Sequence, residues 1–207
     1  RVTTLIDNRP APQLTAEWGL AFWIEYQDKH ILLDTGGGEN FARNAAALGI
    51  YLSRADFAVL SHAHWDHADG LPAFFRRNPT APLYLRQGCG EDCYDRTDRG
   101  WRYEGIRKGT LAEYADRIRF VSGPFSPAPG VSLLPHTTPG LAAKGKAGKM
   151  YRLRDGKYTP DDFSHEQSLV FQTARGLVIF NSCCHAGADV IVRETQGARI
   201  GRPPALL

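Results

Sequence analysis

The run Ser61-His62-Ala63-His64-Trp65-Asp66-His67 places three of the chain's seven histidines and one carboxylate within six residues. Neutral imidazole is a nitrogen ligand for zinc, iron, nickel or copper, and a carboxylate adds a harder oxygen. Ligands at i and i+2 converge where a strand ends, and a tight turn then brings Asp66 and His67 onto the far side. A lone histidine reads as a solvated polar residue. Four ligand-type residues packed this closely read as a metal-binding loop, with Asp66 also able to orient or accept a proton.

Such a loop needs a rigid support. Phe57–Leu60 is a short apolar run that leads straight into Ser61 and reads as that strand. Upstream, Val2–Asp7, Leu20–Tyr26 and His30–Asp34 read as strands, the last two joined by the polar turn Gln27-Asp28-Lys29. Phe41, Ala45 and Leu48 share one helical face that stops at Gly49, and Leu71, Phe74 and Phe75 have helical spacing. Residues 87–157 carry many Gly, Pro and charged residues and read as an irregular, lid-like segment, with strands only at Arg117–Val121 and Val131–Leu134. Ser168–Thr173 and Leu177–Asn181 read as a hairpin, a short helix follows Gly187, and 201–204 reads as coil. Strands in two blocks, each with helices, make this an α/β (α+β) chain. The pattern fits an αββα sandwich and a doubly wound sheet equally.

The 207 residues are enough for one domain with a sizeable core. A net charge of +3 with no Lys/Arg block gives no case for nucleic acid, and the longest apolar runs are too short for a bilayer. The expected partner is a small molecule. No signal peptide is visible, and the chain begins at Arg1. Cys89, Cys93, Cys183 and Cys184 read as reduced thiols, which points to the cytoplasm. Cys89 and Cys93 are ligand types too, but no second pair completes a structural zinc site.

His-x-His-x-Asp-His after a strand resembles the signature of the metallo-β-lactamase superfamily. Asp34-Thr35-Gly36 after Ile31-Leu32-Leu33 is similar to that family's strand-then-Asp-x-Gly element. Four further segments resemble one branch, the archaeal dihydropteroate-type and ribofuranosyl-aminobenzene-phosphate synthases: Thr4-Leu5-Ile6-Asp7-Asn8, Glu17-Trp18-Gly19-Leu20, His165-Glu166-Gln167-Ser168-Leu169 and Cys183-Cys184-His185-Ala186-Gly187. The resemblance implies an αββα sandwich and a second-sphere role for Asp34 in steadying the histidine loop. It implies a third histidine ligand, for which His165, just before its strand, is preferred to His136. It aligns Cys183 and His185 with a Gly-Cys-Ser-His phrase, which makes His185 a ligand and leaves Cys183 as either a ligand or a plain buried thiol. The implied set is therefore His62, His64 and His165 for one ion and Asp66, His67 and His185 for a second.

Zinc is the expected metal, as one or two ions, with manganese or iron as alternatives. The implied chemistry is attack by a metal-bound hydroxide on an ester, lactone or phosphoester. A second reading is a pterin-related methyl/aryl-amine transferase, with Trp101, Arg102, Tyr103, Lys144, Tyr151 and Arg152 available to hold a ring or an anion. A third follows from a departure. The resemblance implies a final histidine near the C-terminus, and none follows His185. That reading is a metal-binding protein of reduced or no activity.

Overall fold

The computed structural model describes residues 1–198. The expectation for 201–204 lies outside them. A six-stranded sheet runs in the order β1 (Val2–Ile6), β2 (Ala21–Tyr26), β3 (Lys29–Leu33), β4 (Phe57–Val59), β5 (Leu83–Arg86), β8 (Ile118–Val121). Its first three strands are antiparallel neighbours, and β3, β4, β5 and β8 run parallel. A four-stranded antiparallel sheet has β14 (Gly176–Phe180), β13 (Gln167–Thr173), β10 (Val131–Pro135) and β9 (Phe125–Ala128).

Side chains on the two faces of the first sheet build two cores. One face packs Leu32, Ala58 and Leu83 against Phe41 and Ala45 of α1 (Asn40–Ala47) and Leu71 and Phe74 of α3 (Leu71–Arg77). The other packs Ile31, Leu33, Phe57 and Val59 against Val131, Leu133, Leu169 and Phe171 of the second sheet. The period-2 alternation within β3 divides its residues between these two cores. A smaller cluster joins Leu141, Phe163, Ala186 and Val190, bringing α6 (Ala188–Gly197) beside the segment that leads into α5 (Ala142–Ala147).

The segment expected to be irregular is largely ordered. It contains β6 (Cys93–Thr97), β7 (Gly100–Tyr103), the short α4 (Thr110–Glu113) and β11 (Met150–Arg154), and with β12 (Lys157–Pro160) these strands form a third sheet, ordered β12-β11-β6-β7. Its strands were illegible because they alternate aromatic with charged residues instead of apolar with polar ones. Trp101 stacks on Tyr158 at 3.7 Å between centroids, and Tyr94 meets both Tyr103 and Tyr158 edge-on. The pairing of β6 with β11 also spans more than fifty residues, beyond any local pattern.

Connectivity brings the chemistry to one end. Asp34 follows β3 and Ser61-His62 follow β4, so both lie beyond the carboxyl ends of adjacent parallel strands. In the second sheet β13 is antiparallel to β10 and β14, so His165-Glu166, just before it, lie beside His136 after β10 and Asn181–His185 after β14. The two ends are stitched together where the Gln167 amide donates to Ser61 O at 2.8 Å. Close backbone approach matters as well. A Cβ on Gly19, whose φ is +130°, would collide with the carbonyl oxygen of Asp66. Gly19→Ala is expected to cost about 1–3 kcal/mol in overpacking and to displace the histidine loop. A thermal melt with a parallel metal titration checks this, and an unchanged pair of values would rule it out.

Candidate metal centre

Asp34 is the hub of the site. It is 1% exposed and sits at φ +59°, a left-handed conformation that Asp tolerates better than most residues. Its Oδ1 accepts the Ser61 N–H at 2.7 Å. Its Oδ2 accepts the Ser61 hydroxyl at 2.7 Å, His67 Nδ1–H at 2.8 Å and the Ser182 hydroxyl at 2.5 Å.

These bonds fix two tautomers. The single Ser61 hydroxyl proton goes to the carboxylate, so the contact of Ser61 Oγ with His62 Nδ1 at 2.8 Å places a proton on Nδ1. His62 Nε2 is left with a lone pair, and His67 turns its Nε2 towards Cys183 Sγ at 3.2 Å.

The side chains that follow from this form two triplets. His62, His64 and His185 bring one ligand atom each to within 4.8 Å of one another, and so do His62, His67 and Cys183. Among the described residues, the buried Nε2 atoms of His62 and His185 have no hydrogen-bond partner. A buried imidazole nitrogen without a partner is costly. A divalent cation removes that cost, and three imidazoles leave it an open position. The residues present therefore fit a metal.

Protonation agrees. Burial, reinforced by the neighbouring histidines, holds His62 well below the usual imidazole range, and the same causes hold His64 there. Burial also leads in lowering His185, partly offset by Glu166. All three rings are thus in the neutral, ligating form near neutral pH. His67 differs. Burial opposes its charge, but Asp34 and Cys183, whose Sγ lies 3.2 Å from Nε2, outweigh it and push His67 up to about 10. A metal at this second position must displace that proton.

Other expected residues are placed as follows. Asp66 has its Oδ2 3.5 Å from His67 Nε2 and a side chain 15% exposed, at the start of the short helix α2 (Trp65–Ala68), and it belongs to neither triplet. His136 is occupied elsewhere, with Nε2 2.7 Å from Glu166 and Nδ1 2.8 Å from Glu194. His165, expected as the third nitrogen ligand, joins His64, Cys93 and Asp161 instead. Its Nδ1 accepts the Ala63 N–H at 3.0 Å and its Nε2 faces Asp161 Oδ2 at 3.0 Å, and the four side chains bring ligand atoms within 4.8 Å of one another, a second arrangement able to hold an ion. His185, expected on the second ion beside Asp66 and His67, groups with His62 and His64.

Of the candidate ligand-holding side chains of the middle segment, Arg152 is buried while Trp101, Arg102 and Lys144 stay exposed, each with a neighbour in the chain. Arg152 is buried on Asp92, Arg102 pairs with Asp95 and Glu104, and Trp101 packs on Tyr151 and Tyr158. Lys144 stands 4.0 Å from Asp189.

Sequence reasoning missed Ser61, Ser182, Glu166 and Asp161, while Cys93, named there as a ligand type, lies with His64, Asp161 and His165. Adjacency to the histidines was a signal only for Ser61. Cys89 and Cys93 are buried, and all four cysteines are free. The third sheet also reaches the loop. Trp65 N–H donates to Glu104 O at 3.0 Å and Trp65 Nε1–H to Glu104 Oε2 at 2.8 Å.

Comparison with known proteins bears on the fold and the family. A solved metal-dependent hydrolase of the beta-lactamase superfamily, Tm1679, superposes with a TM-score of 0.79 at 26% identity, covering 95% of this chain and 71% of that one. The 7,8-dihydropterin-6-methyl-4-(beta-D-ribofuranosyl)-aminobenzene-5'-phosphate synthase of Methanocaldococcus jannaschii is 27% identical over 194 residues. That alignment takes in 87% of this chain but only 65% of the synthase, so the chain spans about two thirds of that relative's length. A ribonuclease of Thermus thermophilus is 40% identical over 58 residues, 27% of this chain and 14% of the ribonuclease. The metallo-β-lactamase-type α/β fold expected from the resemblance is the one this chain shares with that solved hydrolase. Residues 17–144 match the family model described as the metallo-beta-lactamase superfamily, and the chain belongs to that superfamily.

Proposed function

We propose that the chain is a metal-dependent hydrolase of a small ester, lactone or phosphoester. One observation carries the reading. His62, His64 and His185 present converging nitrogens, two of them buried and otherwise unpartnered, beside a second cluster of His67 and Cys183. Zinc suits this set of imidazoles and a thiol, as one or two ions, with manganese or iron as alternatives. When bound, the metal supplies Lewis acidity and makes water a nucleophile at neutral pH.

The protein's own residues do the rest. Asp34 and Ser61 hold His62 in the Nδ1–H tautomer, and Asp34 does the same for His67. Asp66, partly open to solvent, is the group placed to orient a nucleophile or take its proton. The free thiols favour a cytoplasmic setting, and no described helix is long and apolar enough to cross a membrane.

The test is metal analysis of the purified chain, with a screen of chromogenic esters, lactones and phosphodiesters. Bound transition metal and turnover of at least one class are expected, with both lost in a His62→Ala, His64→Ala double variant. Metal content unchanged in that variant would overturn the reading. A second reading, transfer of a pterin methyl group to an aromatic amine, is favoured by the name of the archaeal relative. Saturable binding of a pterin phosphate without ester turnover would favour it. Bound metal with neither activity would favour a metal-binding protein.

A further inference from the structure

Three consecutive buried residues, His165-Glu166-Gln167, bond to both ligand-bearing loops. His165 holds the first loop. The amide between His62 and His64 belongs to Ala63, and its N–H donates to His165 Nδ1 at 3.0 Å. An N–H can only donate, so Nδ1 carries a lone pair and the proton sits on Nε2, 3.0 Å from Asp161 Oδ2. Burial resists a charge on this ring and Asp161 draws its proton affinity up, yet a second proton would lie against the Ala63 N–H.

Glu166 holds the second loop. Its Oε1 accepts the His185 N–H at 3.0 Å and its Oε2 the Ala186 N–H at 3.1 Å. Oε2 also accepts His136 Nε2–H at 2.7 Å. Gln167 completes the link. Its amide donates to Ser61 O at 2.8 Å and its Nε2–H to Leu60 O at 2.8 Å.

We propose that His165-Glu166-Gln167 is a positioning bracket that sets the spacing between the His62-x-His64 loop and the Cys183–His185 loop while binding no metal itself. The inference rests on the reading of His62, His64 and His185 as the metal centre. Its physical basis is orientation. The Ala63 peptide sets the direction of both flanking rings, and the His185 amide sets the backbone that carries the third. Partners that orient ligands without touching the metal typically change affinity about 10- to 100-fold when removed.

The test is cobalt(II) titration of the metal-free full chain, followed by visible absorption, with a melt of each metal-free variant. His185→Ala serves as the ligand-loss control and is expected to lose cobalt from its site. His165→Gln and Glu166→Gln are expected to keep the wild-type cobalt stoichiometry, with affinity about 10- to 100-fold lower and shifted d–d bands. Glu166→Asp, which keeps the charge but shortens the reach, gives the same readout if Glu166→Gln does not fold. Loss of cobalt by His165→Gln equal to that of His185→Ala would make His165 a ligand and overturn the bracket. Wild-type affinity and bands in the Glu166 variants would overturn it too. A wild-type chain that takes up no cobalt would instead overturn the metal centre itself.

Discussion

Replacing Asp34 with asparagine is expected to weaken metal binding by about 10- to 100-fold with the fold retained. Asparagine tolerates the left-handed backbone at this position, so the loss is not one of main-chain strain. It comes from hydrogen-bond polarity. The carboxylate accepts four donors, and the amide group must turn its NH2 towards at least one of them. If NH2 faces Ser61 N–H, two donors oppose each other in a buried site. If it faces His67, that ring must accept at Nδ1 and carry its proton on Nε2, where the ion would bind. Competition against a chromophoric chelator measures the effect. Affinity within twofold of wild type would show that Asp34 does not set the tautomers.

His136→Ala is expected to cost about 3–5 kcal/mol of stability, the usual penalty for removing one member of a buried charged group. His136 has both ring nitrogens on carboxylates, so it carries two N–H groups and a positive charge between Glu166 and Glu194. Their side chains are 2%, 0% and 12% exposed, so water does little to screen them. Glu194 also accepts the Thr137 and Thr138 amides, which ties α6 to the end of β10.

The pH dependence has a definite sign. Burial would lower His136, but the two glutamates raise it above 6.5. Its contribution is therefore full below that value and is lost as pH rises through the raised one. Burial would raise Glu166 and Glu194, but His136 leads the groups that hold both below 4.5. Their contribution is present above 4.5 and is lost as pH falls through the lowered values. The gap between wild type and variant should be widest from about pH 5 to pH 7 and should shrink on either side. Urea unfolding at pH 4, 6 and 9 reads it. A gap below about 1 kcal/mol at pH 6 would mean that the triad is no more than a surface pair.

The scaffold around the histidines was largely legible. Strands at Val2, Ala21, Lys29 and Phe57, and those at Val131, Gln167 and Gly176, begin within one or two residues of where their patterns place them. Their side chains alternate between two apolar cores or between core and solvent, and that alternation is written in one dimension. The third sheet was not legible, because its inner face is aromatic and its partners are remote in the chain. How His165 and His185 divide between the histidine groups was not legible either. Both are histidines at the end of a strand in the same sheet. What separates them is a donor from another loop, the Ala63 N–H, which occupies one and leaves the other free.

The sequence by itself picked out the candidate metal-binding loop at His62–His67, because those ligand-type residues are contiguous and one strand suffices to aim them. It also determined the superfamily pattern that goes with that loop. Only the tertiary structure brings the ligand-type side chains of separate loops into common groups and shows which bonds orient them. Ligation depends on which nitrogen of each ring keeps its lone pair. For His62 and His67 that is set by Ser61 and Asp34, which reach the rings from the ends of two separate strands.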